Sequence, residues 1–154
     1  MKASALCVAL LKEVEGWEPK QYPDGAGKST IGYGHLILEG EKYGQLTKEQ
    51  GHELLMLDVS KAEWAVNSSV EVPLKQHQFD ALVCFVFNVG ATAWAKSDTL
   101  KILNQGHLHK IPGRLMMWNK ITVNGKKVES EGLTNRRLRE VALWEGRITE
   151  KDIL

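Results

Sequence analysis

The chain has 154 residues, 43% hydrophobic and 25% charged, the make-up of one globular domain able to bury its own core. With 20 basic and 19 acidic side chains the net charge is +1, so charge offers no case for nucleic-acid binding. No apolar run reaches membrane-spanning length, and Cys7 and Cys84 fall within apolar helical patterns, which reads as buried reduced thiols rather than a disulfide framework.

Lys2 followed by "ASALCVALL" has the outline of an export signal. It lacks an Ala-x-Ala site and runs straight into Lys12, Glu13 and Glu15, so it is read as the first helix of the fold. Ser4 suits an N-cap, and Leu6, Leu10, Val14 and Trp17 form one helical stripe ending near Gly16. Gly25, Gly27, Gly32 and Gly34 then alternate with the β-formers Tyr22, Thr30, Ile31 and Tyr33, predicting a small hairpin or meander that turns at "DGAGK". "LILEGEKYGQL" adds a third short strand or an irregular return.

"TKEQ" at 47–50 has the form of a capping box and should start a long helix reaching about Val66. Pro73 suits the first turn of the next helix, "HQFDALVCFVF", which is apolar nearly all round and belongs at the centre of a helical lobe. Gly90 ends it. Shorter helices are expected from Ser97 to Asn104 and around Arg114 to Lys120. "ITVNGKKVES" carries Asn-Gly between β-branched residues and predicts a hairpin. Thr134 is expected to cap "NRRLREVALWEG", with Leu138, Val141 and Trp144 on one face. The architecture is α+β: a small N-terminal sheet, then a mostly helical remainder.

Chemistry concentrates in "EVEGWEPKQYPDGAGKSTIGYGH" at 13–35. Glu15 falls on the last turn of the first helix, where the macrodipole disfavours an anion and suits a group that carries a proton. Asp24 lies nine residues on, across a turn. Two carboxyls flanking a cleft are the minimum equipment for cutting a glycosidic bond: one protonates the leaving oxygen, the other supports water or the developing positive charge. The Thr30 hydroxyl, on the strand leaving the turn, could hold a water beside Asp24. Singly, each residue has an ordinary explanation: a solvated helix-end glutamate, a turn aspartate, a strand threonine. Glu13 is read as the first of these.

The combination is specific. Glu15, eight residues, Asp24, five residues, Thr30 and then Ile-Gly-x-Gly-His resembles the signature of the phage-type lysozymes, the endolysins of glycoside hydrolase family 24. The likeness continues in "QFDALVCFVFNVG" at 78–90, "LKILNQG" at 100–106 and "GLTNRRLREVALW" at 132–144, in order and spanning nearly the whole chain. It implies a single lysozyme domain over 1–154, with a sheet-containing lobe at about 13–60 and a helical lobe from 1–12 plus 61–154, joined by the long helix with a cleft between. It implies hydrolysis of the β-1,4 bond between N-acetylmuramic acid and N-acetylglucosamine in bacterial peptidoglycan, with Glu15 as general acid and Asp24 and Thr30 as its partners. We expect inversion, which requires carboxyls roughly 6.5–9.5 Å apart.

The resemblance further places Leu36, Phe87 and Asn88 along the cleft, brings Arg136 towards Glu15, and gives His35 a structural role for which Asp58 is the first candidate partner. Asn88, polar within an apolar helix, should pair with sugar or backbone. His107 and His109 without a third ligand make no metal site, so neither metal nor cofactor is expected. The protein should act as a monomer without membrane insertion, accumulate in the host cytoplasm, and reach the wall after release by a separate holin-type membrane protein. A lytic transglycosylase, which forms 1,6-anhydro products and needs no water-positioning pair, is the nearest rival. An inactive glycan-binding module is the other.

Overall fold

The first helix, α1 (Ala5–Glu15), starts where the Ser4 hydroxyl accepts the Cys7 N–H at 3.2 Å. It stops where Gly16 takes φ +72°, a left-handed turn open to glycine. The computed structural model describes residues 1–23 and 29–153. β1 (Glu18–Pro23), β2 (Ser29–Gly32) and β3 (His35–Leu36) form an antiparallel sheet in that order, with Thr30 opposite Leu36 and Ile31 opposite His35. The third strand is only those two residues, and the chain from Ile37 returns irregularly to the next helix.

The Thr47 capping box is present: its hydroxyl accepts the Gln50 N–H at 3.1 Å, and the Gln50 side chain accepts the Thr47 N–H at 2.9 Å. It opens α2 (Lys48–Ser69), which runs three residues past the predicted end because Val70 is the first extended position. α2 carries the sheet on one side and α3 (Gln76–Val89) on the other. The Trp17 ring packs so closely over Gly51 that an added Cβ would lie 2.2 Å from it, which is why that position on α2 lacks a side chain.

α3 is the core. Phe79 to Val86 are buried without a break, and α1, α2, α4 (Ala91–Ala95) and α7 (Glu131–Trp144) surround them. Each large apolar side chain buried there contributes about 1.5–3 kcal/mol. Pro73 does not enter the first turn of α3; the Lys75 N–H donates to Gln78 Oε1 at 2.9 Å, so the helix begins after Lys75. Cys7 and Cys84 are free and buried, with sulfurs 3.6 Å apart.

α5 (Asp98–Asn104) begins at its predicted Ser97 cap, while α6 (Ile111–Met116) lies earlier than expected because Pro112 supplies its first turn. β4 (Lys120–Val123) and β5 (Lys126–Glu129) form the predicted hairpin, with positive φ at both Asn124 and Gly125 as a two-residue primed turn requires. α7 starts a turn before Thr134. Ser130 is the cap, accepting the Leu133 N–H at 3.2 Å, and Thr134 instead donates to Ser130 O at 2.8 Å. Leu138 is exposed, so the inward face of α7 is made by Arg137, Glu140, Val141, Leu143 and Trp144. Among the described residues no helix is long and apolar enough to cross a membrane.

Candidate active site

Glu15 is the last residue of α1, and its side chain keeps 18% of its surface exposed. Its two oxygens face different ways. Oε2 accepts from Arg136 Nη1 at 2.7 Å, and Oε1 lies against Gly34, where an added Cβ would approach it to 2.5 Å. Gly32 and Gly34 both hold positive φ, +69° and +72°, so "GYGH" turns back tightly enough to bring its backbone beside the Glu15 carboxyl. The acid is therefore placed by three elements: the end of α1, the β2–β3 turn and α7.

Gly34 also opens a groove of about 270 Å³ whose walls include His35, Leu36 and Leu38 from the sheet side, Asp58 and Lys61 from α2, and Phe87 and Ala91 from the helices opposite. Leu36 and Phe87 thus face the same space. Thr30 lies on β2, paired with Leu36; its Oγ1 is buried and finds no hydrogen-bond partner among the described residues. Asp24 lies outside the described residues.

Both ring nitrogens of the buried His35 face carboxylates, Nδ1 at 2.7 Å from Asp58 Oδ2 and Nε2 at 3.2 Å from Glu41 Oε1. Glu41, which sequence reasoning passed over, also accepts the Leu38 N–H and the Tyr43 hydroxyl, each at 2.7 Å. The Leu38 bond chiefly, then Tyr43 and His35, hold its pKa down to about 2. Desolvation, followed by the Glu41 carboxylate, pushes Tyr43 up to about 12.

Asn88 is not among the residues that line the groove. Its Oδ1 accepts from the buried Arg137 guanidinium rather than from backbone, and the two line a second depression of about 210 Å³. Arg137 also donates to Trp118 O at 2.8 Å and to Glu140, and lies 4.9 Å from the Phe85 ring centre. Glu140 then reaches Arg136 Nε at 3.3 Å. Burial raises the Glu140 pKa, against the pull of both arginines, and lowers that of Arg137. Burial also works against the Arg136 charge, but Glu15 and Glu140 outweigh it and its pKa is raised. Arg139, by contrast, makes only a half-exposed pair with Glu13 at 2.9 Å. An acid three and four residues beyond two arginines in "RRLRE" was the available signal for Glu140.

Among the described residues no group of three or more His, Cys, Asp or Glu side chains converges as a metal site would require, and the His107 and His109 rings stand 6.1 Å apart.

Comparison with known proteins gives this arrangement a family. The phage lysozyme profile matches residues 12–140. The chain is 38% identical over 147 residues to an endolysin of Acyrthosiphon pisum secondary endosymbiont phage 1, covering 94% of this chain and 99% of that one. Among solved structures, the endolysin of Escherichia coli O157:H7 phage FAHEc1 superposes with a TM-score of 0.87 at 40% identity, covering 96% of both chains. The muramidase domain of SpmX from Asticaccaulis excentricus superposes with a TM-score of 0.84 at 34% identity, covering 93% of this chain and 97% of that one. A match of that extent in both sequence and fold, over a grooved α+β domain in which Glu15 packs against Gly34 of the groove wall, means that the chain belongs to the phage lysozyme family and is a lysozyme-type glycosidase.

Proposed function

We propose that this protein is an endolysin muramidase that hydrolyses the β-1,4 bond between N-acetylmuramic acid and N-acetylglucosamine in bacterial peptidoglycan. The observation that carries the reading is the division of labour between the Glu15 oxygens. Oε2 is held by Arg136, which fixes the carboxyl plane, while Oε1 lies beside Gly34 at the groove and is the atom that would deliver a proton to the leaving oxygen. Asp24 would work from the opposite face of the sugar, with Thr30 Oγ1, buried and without a partner among the described residues, available to hold the attacking water beside it. Direct attack by that water inverts the anomeric centre.

Leu36 and Phe87 would supply apolar contact for the sugar rings. The groove has walls from both the sheet and the helices, which favours a two-lobed division at about 13–60 against 1–12 plus 61–154. His35, with Asp58 and Glu41, would hold the sheet wall to α2. In this reading the enzyme acts as a monomer without inserting in the membrane, is made in the host cytoplasm, and lyses the cell once a holin-type membrane protein gives it access to the wall.

Turbidity clearing of permeabilised bacterial cells tests the reading. Glu15→Gln and Asp24→Asn, both isosteric, should each lower the rate about 10²–10⁴-fold, the usual contribution of a positioned acid or base. Retention of activity by Glu15→Gln would remove Glu15 from the chemistry.

A further inference from the structure

Arg136 is the direct partner of Glu15, but nothing in an arginine side chain aims it without help. Its guanidinium makes three contacts from one rigid plane: Nε to Glu140 Oε2 at 3.3 Å, Nη2 to Cys84 O at 3.1 Å, and Nη1 to Glu15 Oε2 at 2.7 Å. The first two fix the plane, so the third can point only at the acid. Glu140 is fixed in turn. Its other oxygen accepts from Arg137, and Arg137 is clamped by Trp118 O, Asn88 and the face of Phe85.

Glu140 and Arg137 are each 1% exposed. A buried ion pair is a poor device for stability alone, because removing both charges from water offsets most of their attraction. What this one provides is direction and charge alternation. Glu15, Arg136, Glu140 and Arg137 run negative, positive, negative, positive from the groove inward. We infer that Glu140 is a positioning residue for the general acid, and that Arg137 and Asn88 behind it complete one clamp acting on Glu15 through Arg136. This assigns Asn88 to the support of the acid rather than to sugar, and it rests on the reading of Glu15 as that acid.

The other ionisable groups around the line are few among the described residues. From α3 comes Cys84, its sulfur facing Cys7 of α1. At the rim Arg139 of α7 pairs with Glu13 of α1. Lys12 of α1 lies 5.3 Å from the Tyr33 ring centre. From the hairpin, Lys120 of β4 and Lys127 of β5 line the depression beside Arg137. None of these ionisable groups bonds to Glu140 or Arg136 among the described residues.

The test is the pH profile of kcat/KM on soluble peptidoglycan fragments, run with a melting curve for each variant. The alkaline limb reports loss of the acid's proton. Glu140→Gln leaves two guanidinium groups behind one carboxylate and should move that limb about one pH unit lower. Arg137→Gln leaves Glu140 with only Arg136 and should move it higher. A role confined to folding would lower Tm in both and leave the limb in place, which would overturn the inference. If Glu140→Gln does not fold, the paired variant Arg137→Gln with Glu140→Gln removes the buried pair together. It should restore the limb but lower kcat about ten- to a hundredfold at unchanged KM, since Arg136 has lost its clamp; unchanged kcat would overturn the inference. Glu15→Gln run alongside separates the two claims. An active Glu15→Gln defeats the acid assignment itself, whereas an inactive one with unmoved limbs in the other variants defeats only the clamp.

Discussion

Gly34 and Glu15 are nineteen positions apart in the chain, yet the glycine exists to accommodate the acid. Its φ of +72° strains any other residue, and a Cβ there would come within 2.5 Å of Glu15 Oε1. Gly34→Ala should therefore leave the helices folded by far-ultraviolet circular dichroism, yet lower kcat about a hundredfold by pushing the carboxyl off line. Wild-type turnover in that variant would mean the contact has no bearing on catalysis. At this scale the sequence was informative where a motif fixed the spacing. Glu15, Thr30, His35 and Arg136 could each be singled out because neighbours and order constrained them. Glu140 and Glu41 were passed over because each looks like an ordinary helix or loop acid; their partners lie only 2–6 residues away, and what the spacing in "RRLRE" did not show is that the cluster would be turned inward. Asn88 is the converse case: its need for a partner was legible, but not that the partner would be an arginine 49 residues on.

Among the elements, those with a strong local signal formed as read. The Thr47 box, the Ser4 cap and the Asn124–Gly125 turn each rest on a hydrogen bond or a backbone angle that neighbouring residues decide. The starts of α3, α6 and α7 moved by a few residues because a competing local group took the terminal N–H or supplied the first turn: Gln78, Pro112 and Ser130. The irregular return after β3 was left open by sequence, and it proves to be organised by the Glu41 carboxylate. Glu41 titrates at about 2 when folded, below its ordinary 4.5, so the stability it contributes is present above pH 4.5 and is lost as pH falls towards 2. Tyr43 titrates at about 12 against an ordinary 10, so its contribution is present below pH 10 and is lost as pH rises through 12. Ultraviolet titration of the three tyrosines should show a phenol ionising near 12 that disappears in Tyr43→Phe and shifts downward in Glu41→Gln. An unchanged titration in Glu41→Gln would show that the carboxylate does not face that phenol in solution.

On the scale of the whole molecule, the sheet and the helical core meet along α2, and the groove opens where they part. Long-range packing was legible only in outline. The apolar run of α3 announced a central helix and the resemblance brought Arg136 towards Glu15, but nothing said that α7 would bury Arg137 and Glu140 behind it. The result is a site in which the acid is anchored from the helical side and exposed towards the sheet side. On the reading we propose, the hydroxyl of Thr30 and the carboxyl of Asp24 in the same sequence motif would serve to add water rather than to close a ring on the sugar itself. Mass spectrometry of the muropeptides released from purified cell walls tests that claim most directly. Hydrolysis predicts products ending in reducing N-acetylmuramic acid, with none appearing in Glu15→Gln; products ending in 1,6-anhydro-N-acetylmuramic acid would contradict it.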